Sequence, residues 1–276
     1  MSQADTAFLS TCREILEKGS LVIDEKVRPK WPDGTPAYTK KLFGVVNRYD
    51  LRKDFPLITV RPISLAAAVD EVLWIWQKKS NNIHELGSHI WDAWADETGS
   101  IGKAYGYQMG IKHQYKEGMF DQVDRVLFDL RNNPCSRRIM TNLYNFEDLH
   151  EMRLYPCAYS MTFNVTDGLL NAILNQRSQD MLAANAWNVA QYAALLMMIA
   201  QVSGLQAGEL VHVIADAHIY DRHIPIVEEL LTREVFDAPT VTLDPSVTDF
   251  YAFTPASFQV ENYRHGEKIG RFEVAV

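Results

Sequence analysis

Cys157 is the residue whose type and surroundings most directly allow chemistry. A cysteine of unknown burial is either an inert core residue or a nucleophile, and both remain open at this point. Residues 159–165 and 169–176 have the composition of strands, and the Thr-Asp-Gly between them predicts a hairpin. The hairpin would bring Arg177 close to Cys157. A guanidinium near the sulfur lowers the pKa of a thiol, so the pattern favours thiolate at neutral pH.

Side chains suited to anions and amides lie elsewhere along the chain. The amide of Asn188 donates and accepts, which matches the N3–H donor and O4 acceptor of a uracil ring, but Asn188 is equally a candidate N-cap of the apolar helix after it. Arg137 and Arg138 are adjacent, as in surface salt bridges and in phosphate sites. Arg28 lies in a Pro- and Gly-rich segment, 27–36, which is either a solvated loop or an anion clamp.

The net charge of −8 argues against a general nucleic-acid or anionic-membrane binder, because such proteins present a net basic face. Any anionic ligand must then be held by a local arginine cluster. Hydrophobic residues at 47% and charged residues at 22% are typical of a globular protein. Since the sequence has no repeat, low-complexity tract or linker, we expect a single domain over residues 1–276.

The cysteines indicate a reducing compartment. Cys12, Cys135 and Cys157 are odd in number and widely spaced, which argues against a disulfide framework or a cysteine zinc site. Cys12 has the position of a core residue on a helix. The N-terminus lacks a signal region, and no run approaches the roughly 18 apolar residues of a membrane span, so we expect a cytoplasmic protein.

Two kinds of cofactor site are not supported by the motifs. His218 and His223 lack the i, i+4 spacing of metal ligands and His212 lies on a predicted strand, so no metal site is expected. The glycines among the aromatic residues of segment 101–107 fit neither the dinucleotide nor the phosphate-loop spacing. No nicotinamide is therefore expected either.

The elements that position these residues follow from apolar periodicity. Helices are predicted over 6–18 with Thr6 as N-cap, from Ser64 with Glu71 beside the apolar stripe, over 121–132, and over the apolar run 189–203. Strands are predicted at 42–46, 57–60 and 210–215. Segment 216–223 is expected to begin a helix that continues to about 234, and the tail from 241 to 276 mixes short strands and turns.

Several motifs together resemble a known family. Tyr155-Pro-Cys157, Gln176-Arg177-Ser178-x-Asp180 and Trp187-Asn188, in this order and spacing, look like the signature of the thymidylate synthase family. Further similar blocks lie at 54–59, 71–74, 90–94, 104–106, 136–138, 216–220 and 274–276. The resemblance therefore covers essentially the whole chain.

The resemblance implies an α+β fold with a large mixed β-sheet and packed helices. It also implies a homodimer that converts dUMP to dTMP with 5,10-methylenetetrahydrofolate as carbon and hydride donor, without metal or nicotinamide. Cys157 would add to C6 of the uracil, with Arg177 beside it. Glu71 would organise water and proton transfers near O4, and Tyr105 would assist removal of the C5 proton.

The same resemblance implies the binding residues. The phosphate would be held by Arg28, Arg177 and Ser178, with Arg137 and Arg138 of the second subunit. Gln176, Asp180 and Asn188 would orient the base and the pterin, and His218 and Tyr220 would hold the deoxyribose 3′-hydroxyl. Residues implied at the folate site are Trp91, Asp180, Ala184 and the C-terminal Val276.

The chain departs from the commonest family pattern at three places. Ala158 follows the cysteine where most members have histidine. The usual Leu-Gly-x-Pro-Phe-Asn is here Ala-Ala-Asn-Ala-Trp-Asn, which places a methyl group at Ala184 and an indole at Trp187. Arg28 lacks the glycine-threonine setting of the phosphate-loop arginine.

Three other functions remain to be weighed. A dUMP hydroxymethylase of the same family would capture the exocyclic methylene with water instead of hydride. A cysteine hydrolase would use Cys157 with His218 as base, and predicts the two side chains in hydrogen-bond contact. A nucleotide-binding protein without catalysis is compatible with Ala158.

Overall fold

A mixed β-sheet is the element on which the other parts of the protein pack. A computed structural model describes residues 2–24 and 26–276 and, within them, a seven-stranded sheet of order β1-β2-β9-β7-β6-β5, with β8 beside β9. The strands are β1 Ser20–Val22, β2 Thr39–Asp50, β5 Met140–Asn142, β6 Ala158–Thr166, β7 Leu169–Gln176, β8 Gln179–Asp180 and β9 Gln206–Tyr220. The small hairpins are β3 His113–Tyr115 with β4 Gly118–Phe120, and β10 Thr240–Leu243 with β11 Phe258–Glu261.

Two helices pack directly on the central strands of this sheet. The α-helices are α1 Gln3–Lys18, α2 Leu65–Trp76, α3 Gly106–Gly110, α4 Gln122–Asn132, α5 Ala186–Val202 and α6 Ile224–Leu230. Helix α1 packs on β2, α5 packs on β7 and β9, and α2 packs on α5. The predicted α+β class with a large mixed sheet is confirmed.

The hairpin around the cysteine is confirmed. Strands β6 and β7 pair antiparallel from Ala158↔Gln176 to Thr166↔Leu169. Asp167 and Gly168 form the turn with φ of 53° and 76°, the left-handed values that a two-residue hairpin turn requires. The backbone N–H of Arg177 donates to the Cys157 carbonyl at 2.9 Å, so the pairing continues to the predicted nucleophile.

The expectation that 216–223 begins a helix is wrong. Strand β9 continues to Tyr220, because β2 pairs with it along its length from Thr39↔Tyr220 to Asp50↔Glu209. His218 and Tyr220 thus lie at the end of a strand, and the next α-helix begins at Ile224. A partner strand far away in sequence determines the conformation of this segment.

Two further boundaries differ from the sequence prediction. Helix α1 begins earlier, since Ser2 caps it by accepting from the backbone N–H of Asp5 at 3.0 Å. Segment 57–60 is not a strand; it bends so that the backbone N–H groups of Thr59 and Val60 donate to the buried Asp5 carboxylate, at 2.7 and 3.2 Å. A buried carboxylate requires such donors, and they exclude a β-ladder here. Cys12 is in the core, as predicted.

The apolar helix α5 is central, as predicted, but it begins at Ala186, so Asn188 lies inside it and does not cap it. Segment Met181–Val202 is long and apolar enough, by length and composition only, to cross a membrane, with a mean hydropathy of 1.2. The protein buries 72% of its most apolar window. Burial of this kind is what a core helix shows.

Candidate active site

Two adjoining cavities lie where the ends of β7 and β9 meet α2 and α5. A cavity of about 270 Å³ is lined by Arg177, Ser178, His218 and Tyr220, together with residues of the 27–39 segment. A smaller one of about 40 Å³ is lined by Glu71, Trp91, Tyr105, Cys157, Gln176 and Asn188. Most of the residues predicted from the sequence therefore come together in one region.

Cys157 and Arg177 connect the two cavities. The guanidinium of Arg177 lies 3.7 Å from Cys157 Sγ, as the hairpin predicted. It also donates to the carbonyls of Tyr155 at 2.6 Å and Pro156 at 3.0 Å, so one side chain fixes the whole approach to the nucleophile. A planar guanidinium can make these contacts at once because its donors point in fixed, divergent directions.

The expected lowering of the thiol pKa is not the net result. Burial raises the pKa of the Cys157 thiol, and this exceeds the opposing effects of Arg177, Arg28 and the Tyr105 hydroxyl. The thiol is therefore the stable form at neutral pH in the absence of ligand. Arg177 reduces the free-energy difference between the thiolate and the thiol of Cys157, but the thiol remains the more stable form.

Tyr105 reaches the nucleophile from a strained backbone. Its φ of 46° is in the left-handed region, which a bulky aromatic residue rarely adopts. The hydroxyl oxygen accepts from the backbone N–H of Cys157 at 3.0 Å. Gly106 follows directly and packs on Ser80, whose carbonyl oxygen would lie 2.1 Å from an added Cβ. The local geometry is thus maintained by close packing beneath the tyrosine.

Glu71 is buried, with 4% of its surface exposed, and two tryptophans hold it. The indole N–H of Trp91 donates to one carboxylate oxygen at 2.9 Å, and that of Trp187 donates to the other at 2.5 Å. Burial raises the pKa of Glu71 to about 7, against the opposing effect of these donors. A carboxyl group with this pKa can both donate and accept a proton at neutral pH.

A chain of amides supports Asn188. Its side-chain oxygen accepts from Gln176 and from Gln179, each at 3.3 Å, and its Nδ2 donates to Gln191 at 3.1 Å. Beneath them the buried His212 contacts Gln176 Oε1 through Nε2 at 2.8 Å. Burial lowers the pKa of His212 to about 3, so the ring is neutral and donates through Nε2.

Sequence reasoning missed His212, Gln179 and Gln191 as neighbours of the site. The available signal was a histidine within the apolar run of β9 and a glutamine on an otherwise apolar helix. Buried polar side chains need partners, so each position indicated a polar network next to the core.

His218 faces the larger cavity and bonds to Asp216 at 2.8 Å, and Asp216 also accepts from Lys41. Among the described residues, the Cys157 sulfur contacts Arg177 and the Tyr155 carbonyl, and the Tyr105 hydroxyl lies near enough to lower the pKa of the thiol. The nucleophile–base contact that a cysteine hydrolase predicts is thus not formed with His218. That hypothesis is not supported.

Asp180 leads into an irregular turn. Its carboxylate accepts from the backbone N–H groups of Leu182 and Ala183, at 2.9 and 3.1 Å, and thereby caps the single π-helical turn Met181–Asn185. Ala184 is half-buried in this turn. Such turns occur frequently at functional sites because they redirect the chain and its side chains.

The C-terminus lies against the loop that contains Arg28. Val276 and Lys30 exchange two backbone hydrogen bonds, of 2.9 and 3.0 Å, and Ala275 packs in a cluster with Trp31 and Tyr220. Arg28 itself is exposed, close enough to act on the pKa values of Cys157 and Tyr220. The tail and the loop therefore border the larger cavity together.

Arg137 and Arg138 do not line either cavity. Both are exposed in the turn before β5. Within residues 2–24 and 26–276 neither guanidinium has a hydrogen bond or an ion pair, and only the backbone N–H of Arg138 donates to Ser136. Two free guanidinium groups are thus available on the surface.

No group of three or more His, Cys, Asp or Glu side chains in the described part of the chain could hold a metal ion. This finding concerns protein ligands alone, and the metal-free site stays a prediction.

Comparisons with known proteins agree over the whole length. The sequence profile described as "Thymidylate synthase" matches residues 6–276. Thymidylate synthases of Bacillus phage phi3T and Bacillus subtilis strain 168 are each 43% identical over 281 residues, with 100% of both chains covered. The solved structure of thermostable thymidylate synthase A from Bacillus subtilis is similar with a TM-score of 0.93 and 42% identity, covering 99% of each chain.

Proposed function

Because the chain belongs to the thymidylate synthase family and is a methyltransferase that forms dTMP from dUMP, we propose that Cys157 is its nucleophile within one catalytic domain over residues 1–276. The observation that carries this proposal is the position of Cys157 Sγ, 3.7 Å from the Arg177 guanidinium and at the wall of the cavity that also contains Glu71 and Asn188. Addition of the sulfur to C6 of the uracil needs a thiolate, which the guanidinium stabilises.

The larger cavity suits the phosphate and sugar of dUMP. Arg177 and Ser178 lie at its wall with His218 and Tyr220, and a guanidinium with a hydroxyl is a common phosphate-binding pair. We assign Arg28 to the phosphate as well, because it is an exposed arginine between Val27 and Pro29, two residues that line the larger cavity. His218 and Tyr220 would then donate or accept at the 3′-hydroxyl.

The smaller cavity suits the base. The Asn188 amide can read the N3–H and O4 pair of uracil, and Gln176 holds that amide in place. Glu71, with its pKa near 7, would exchange protons with water near O4. We assign the assistance of C5 proton removal to Tyr105, whose hydroxyl lies at the backbone of Cys157.

The residues next to the base fit a flat heteroaromatic co-substrate. Trp91 and Tyr105 line the smaller cavity with their rings in edge-to-face contact, 5.0 Å between centroids, and the buried Asn185 Nδ2 in the π-helical turn has no partner among the described residues. The family uses methylenetetrahydrofolate, which supplies the carbon and the hydride when bound. We propose that Trp91, Asp180, Ala184 and Val276 form this site, with the C-terminal tail excluding water.

We propose that the active unit is a homodimer. One face of the sheet carries the exposed apolar side chains Val46, Ile173 and Met140, which share a face by strand register. A second copy would cover them, since antiparallel sheet regions bury such a face against a partner. In this arrangement Arg137 and Arg138 of the partner subunit would reach the phosphate.

The free cysteines Cys12, Cys135 and Cys157 are consistent with the cytoplasm, where we place the enzyme.

The test is incubation of the protein with dUMP and methylenetetrahydrofolate. We expect dTMP and dihydrofolate in equal amounts; hydroxymethyl-dUMP with tetrahydrofolate would instead identify the hydroxymethylase. With 5-fluoro-dUMP and the folate, we expect a covalent complex that Cys157→Ala abolishes and that Cys135→Ala, at an exposed cysteine, retains. Failure of the wild type to form it would contradict catalysis.

A further inference from the structure

The carboxylate of Glu71 has an indole donor on each oxygen. Trp91 occupies Oε1 and Trp187 occupies Oε2, and the two tryptophans come from different parts of the chain, the segment after α2 and the start of α5. An indole N–H is always a donor and a carboxylate always an acceptor, so the direction of both bonds is unambiguous. The carboxylate plane is thereby fixed between two rings.

The second of these donors distinguishes this chain from the common family pattern. Position 187 is the aromatic position of the Leu-Gly-x-Pro-Phe-Asn pattern that this segment resembles, and tryptophan stands there in this chain. Phenylalanine can pack against the same surface but cannot donate. The bond to Oε2 therefore depends on the tryptophan side chain at position 187.

We propose that Trp187 is a positioning residue that holds the Glu71 carboxylate through its indole N–H and thereby sets the orientation in which Glu71 exchanges protons beside the base. This inference rests on the role proposed above for Glu71. It explains why a larger aromatic ring is used next to the cavity, where the ring of Trp187 stays half-buried.

The groups around Glu71 determine how much the Trp187 N–H stabilises its charged form. Asp70 on the same helix disfavours the charged form. Tyr105 and Tyr192 face it as neutral phenols whose pKa values burial raises, and the Gln191 amide lies near enough to lower the pKa of Glu71, with a smaller effect than either indole. No cation is among these groups within the described part of the chain, so the indoles are its main stabilising partners.

The test follows the carboxyl group directly. The protein is labelled with glutamate carrying ¹³C at the carboxyl carbon, Glu71→Gln assigns the signal, and its pH titration is compared between wild type and Trp187→Phe. We expect the midpoint to move to higher pH by about one pH unit, since a charge-assisted donor has been removed. An unchanged or lower midpoint would overturn the proposal. Because this readout needs no turnover, it is independent of whether the proposed reaction occurs.

A matched control is Trp94→Phe, which removes an indole from the same aromatic cluster, 5.8 Å from Trp91. The Trp94 N–H has no partner among the described residues, so the Glu71 midpoint should not move. If Trp187→Phe perturbs folding, 3-benzothienylalanine at position 187 keeps the ring shape and removes only the N–H. If the Glu71 midpoint moves in Trp94→Phe as much as in the proteins changed at position 187, the cause is altered packing of the aromatic cluster, and the proposal is contradicted.

Kinetics provide a second readout. For Trp187→Phe we expect kcat to fall about tenfold with little change in KM for dUMP, because a hydrogen bond to a charged group is lost beside the base and not at the phosphate. The limb of the kcat profile that reports Glu71 should move to higher pH together with the carboxyl titration. A loss of kcat without that movement would indicate a structural role only.

Discussion

Arg177 combines two roles in one side chain, since it holds the carbonyls of Tyr155 and Pro156 and also faces Cys157 Sγ. The two roles predict different losses when the side chain is replaced. The carbonyl contacts shape the turn before the nucleophile, while the charge acts on the thiol. Reactivity of the thiol toward a small reagent reports the second role without requiring any substrate.

Arg177→Gln should slow alkylation of Cys157 by iodoacetamide at pH 8 by about tenfold. The physical reason is that loss of the cation raises the thiol pKa and reduces the thiolate fraction. Mass spectrometry of the labelled peptides measures the rate, with the exposed Cys135 as internal reference. Arg153→Gln, which removes an exposed guanidinium from the same segment, should leave the rate unchanged. Equal slowing in both variants would exclude a specific effect of Arg177.

His212 should make the protein sensitive to acid. Its pKa falls from 6.5 in the unfolded chain to about 3 in the fold, so between these two pH values the unfolded state takes up the proton and the folded state does not. The contribution of the neutral His212 ring to the free energy of unfolding is therefore complete above pH 6.5 and is lost as the pH falls toward 3. Between pH 7 and pH 5, wild type should lose about 2 kcal/mol more of its free energy of unfolding than His212→Gln. Urea unfolding at the two pH values measures this difference.

The exposed His113 provides the control for that measurement. His113→Gln should lose as much stability as wild type between the two pH values. If His212→Gln behaves in the same way, the buried ring is not the source of the acid sensitivity.

At the scale of elements, local pairing was predictable and distant pairing was not. The hairpin β6–β7 follows from two strand-like runs joined by Asp167 and Gly168, so the approach of Arg177 to Cys157 could be predicted from the sequence. The extension of β9 to Tyr220 depends on pairing with β2, which lies far earlier in the chain. The local pattern of apolar residues does not reveal such a distant partner.

The same limit applies to the site. The burial of Glu71 and the contact of His212 with Gln176 result from packing between elements that are remote in sequence. The resemblance to a family identified Glu71, but the net rise of the Cys157 pKa depends on burial, which only the fold determines. Residue identities were thus predictable, and their electrostatic balance was not.

A glycine-to-alanine substitution in helix α3 tests whether close packing, and not the loss of a glycine as such, determines stability at this position. In Gly106→Ala the added Cβ would lie 2.1 Å from the Ser80 carbonyl oxygen, so the backbone must move. We expect a loss of about 2 kcal/mol in the free energy of unfolding, together with lower activity because Tyr105 moves. Gly270→Ala, where an added Cβ meets nothing within 4 Å, should change stability by less than about 0.5 kcal/mol. Similar losses in both variants, measured by urea unfolding, would contradict this account.

At the scale of the whole molecule, an acidic chain of net charge −8 must concentrate positive charge where it binds an anion. Arg137 and Arg138 are exposed and unpaired in the described part of the chain, away from the cavities of their own subunit. The proposed homodimer gives these two side chains a function. It also makes each site dependent on two chains.

Mixing two inactive variants should therefore restore activity. A dimer of Cys157→Ala with the double variant Arg137→Ala/Arg138→Ala has one site with an intact cysteine and intact partner arginines. With random exchange of subunits, half of the dimers are mixed, so about a quarter of wild-type activity is expected. Activity should appear only after the two proteins are unfolded and refolded together or otherwise exchange subunits. No recovery in mixed dimers would contradict the assignment of these arginines to the partner's phosphate site.

The pairing of β2 with β9 also determines when the fold can form. Strand β2 pairs with β9 from Thr39↔Tyr220 to Asp50↔Glu209, so this part of the sheet cannot form until most of the chain has left the ribosome. Until then the long edge of β2, with Phe43 and Val46 on it, has no strand beside it. Contacts so distant in sequence slow folding and leave intermediates prone to aggregate. Yield in a heterologous host should therefore depend on temperature and translation rate more than on the stability of the finished protein.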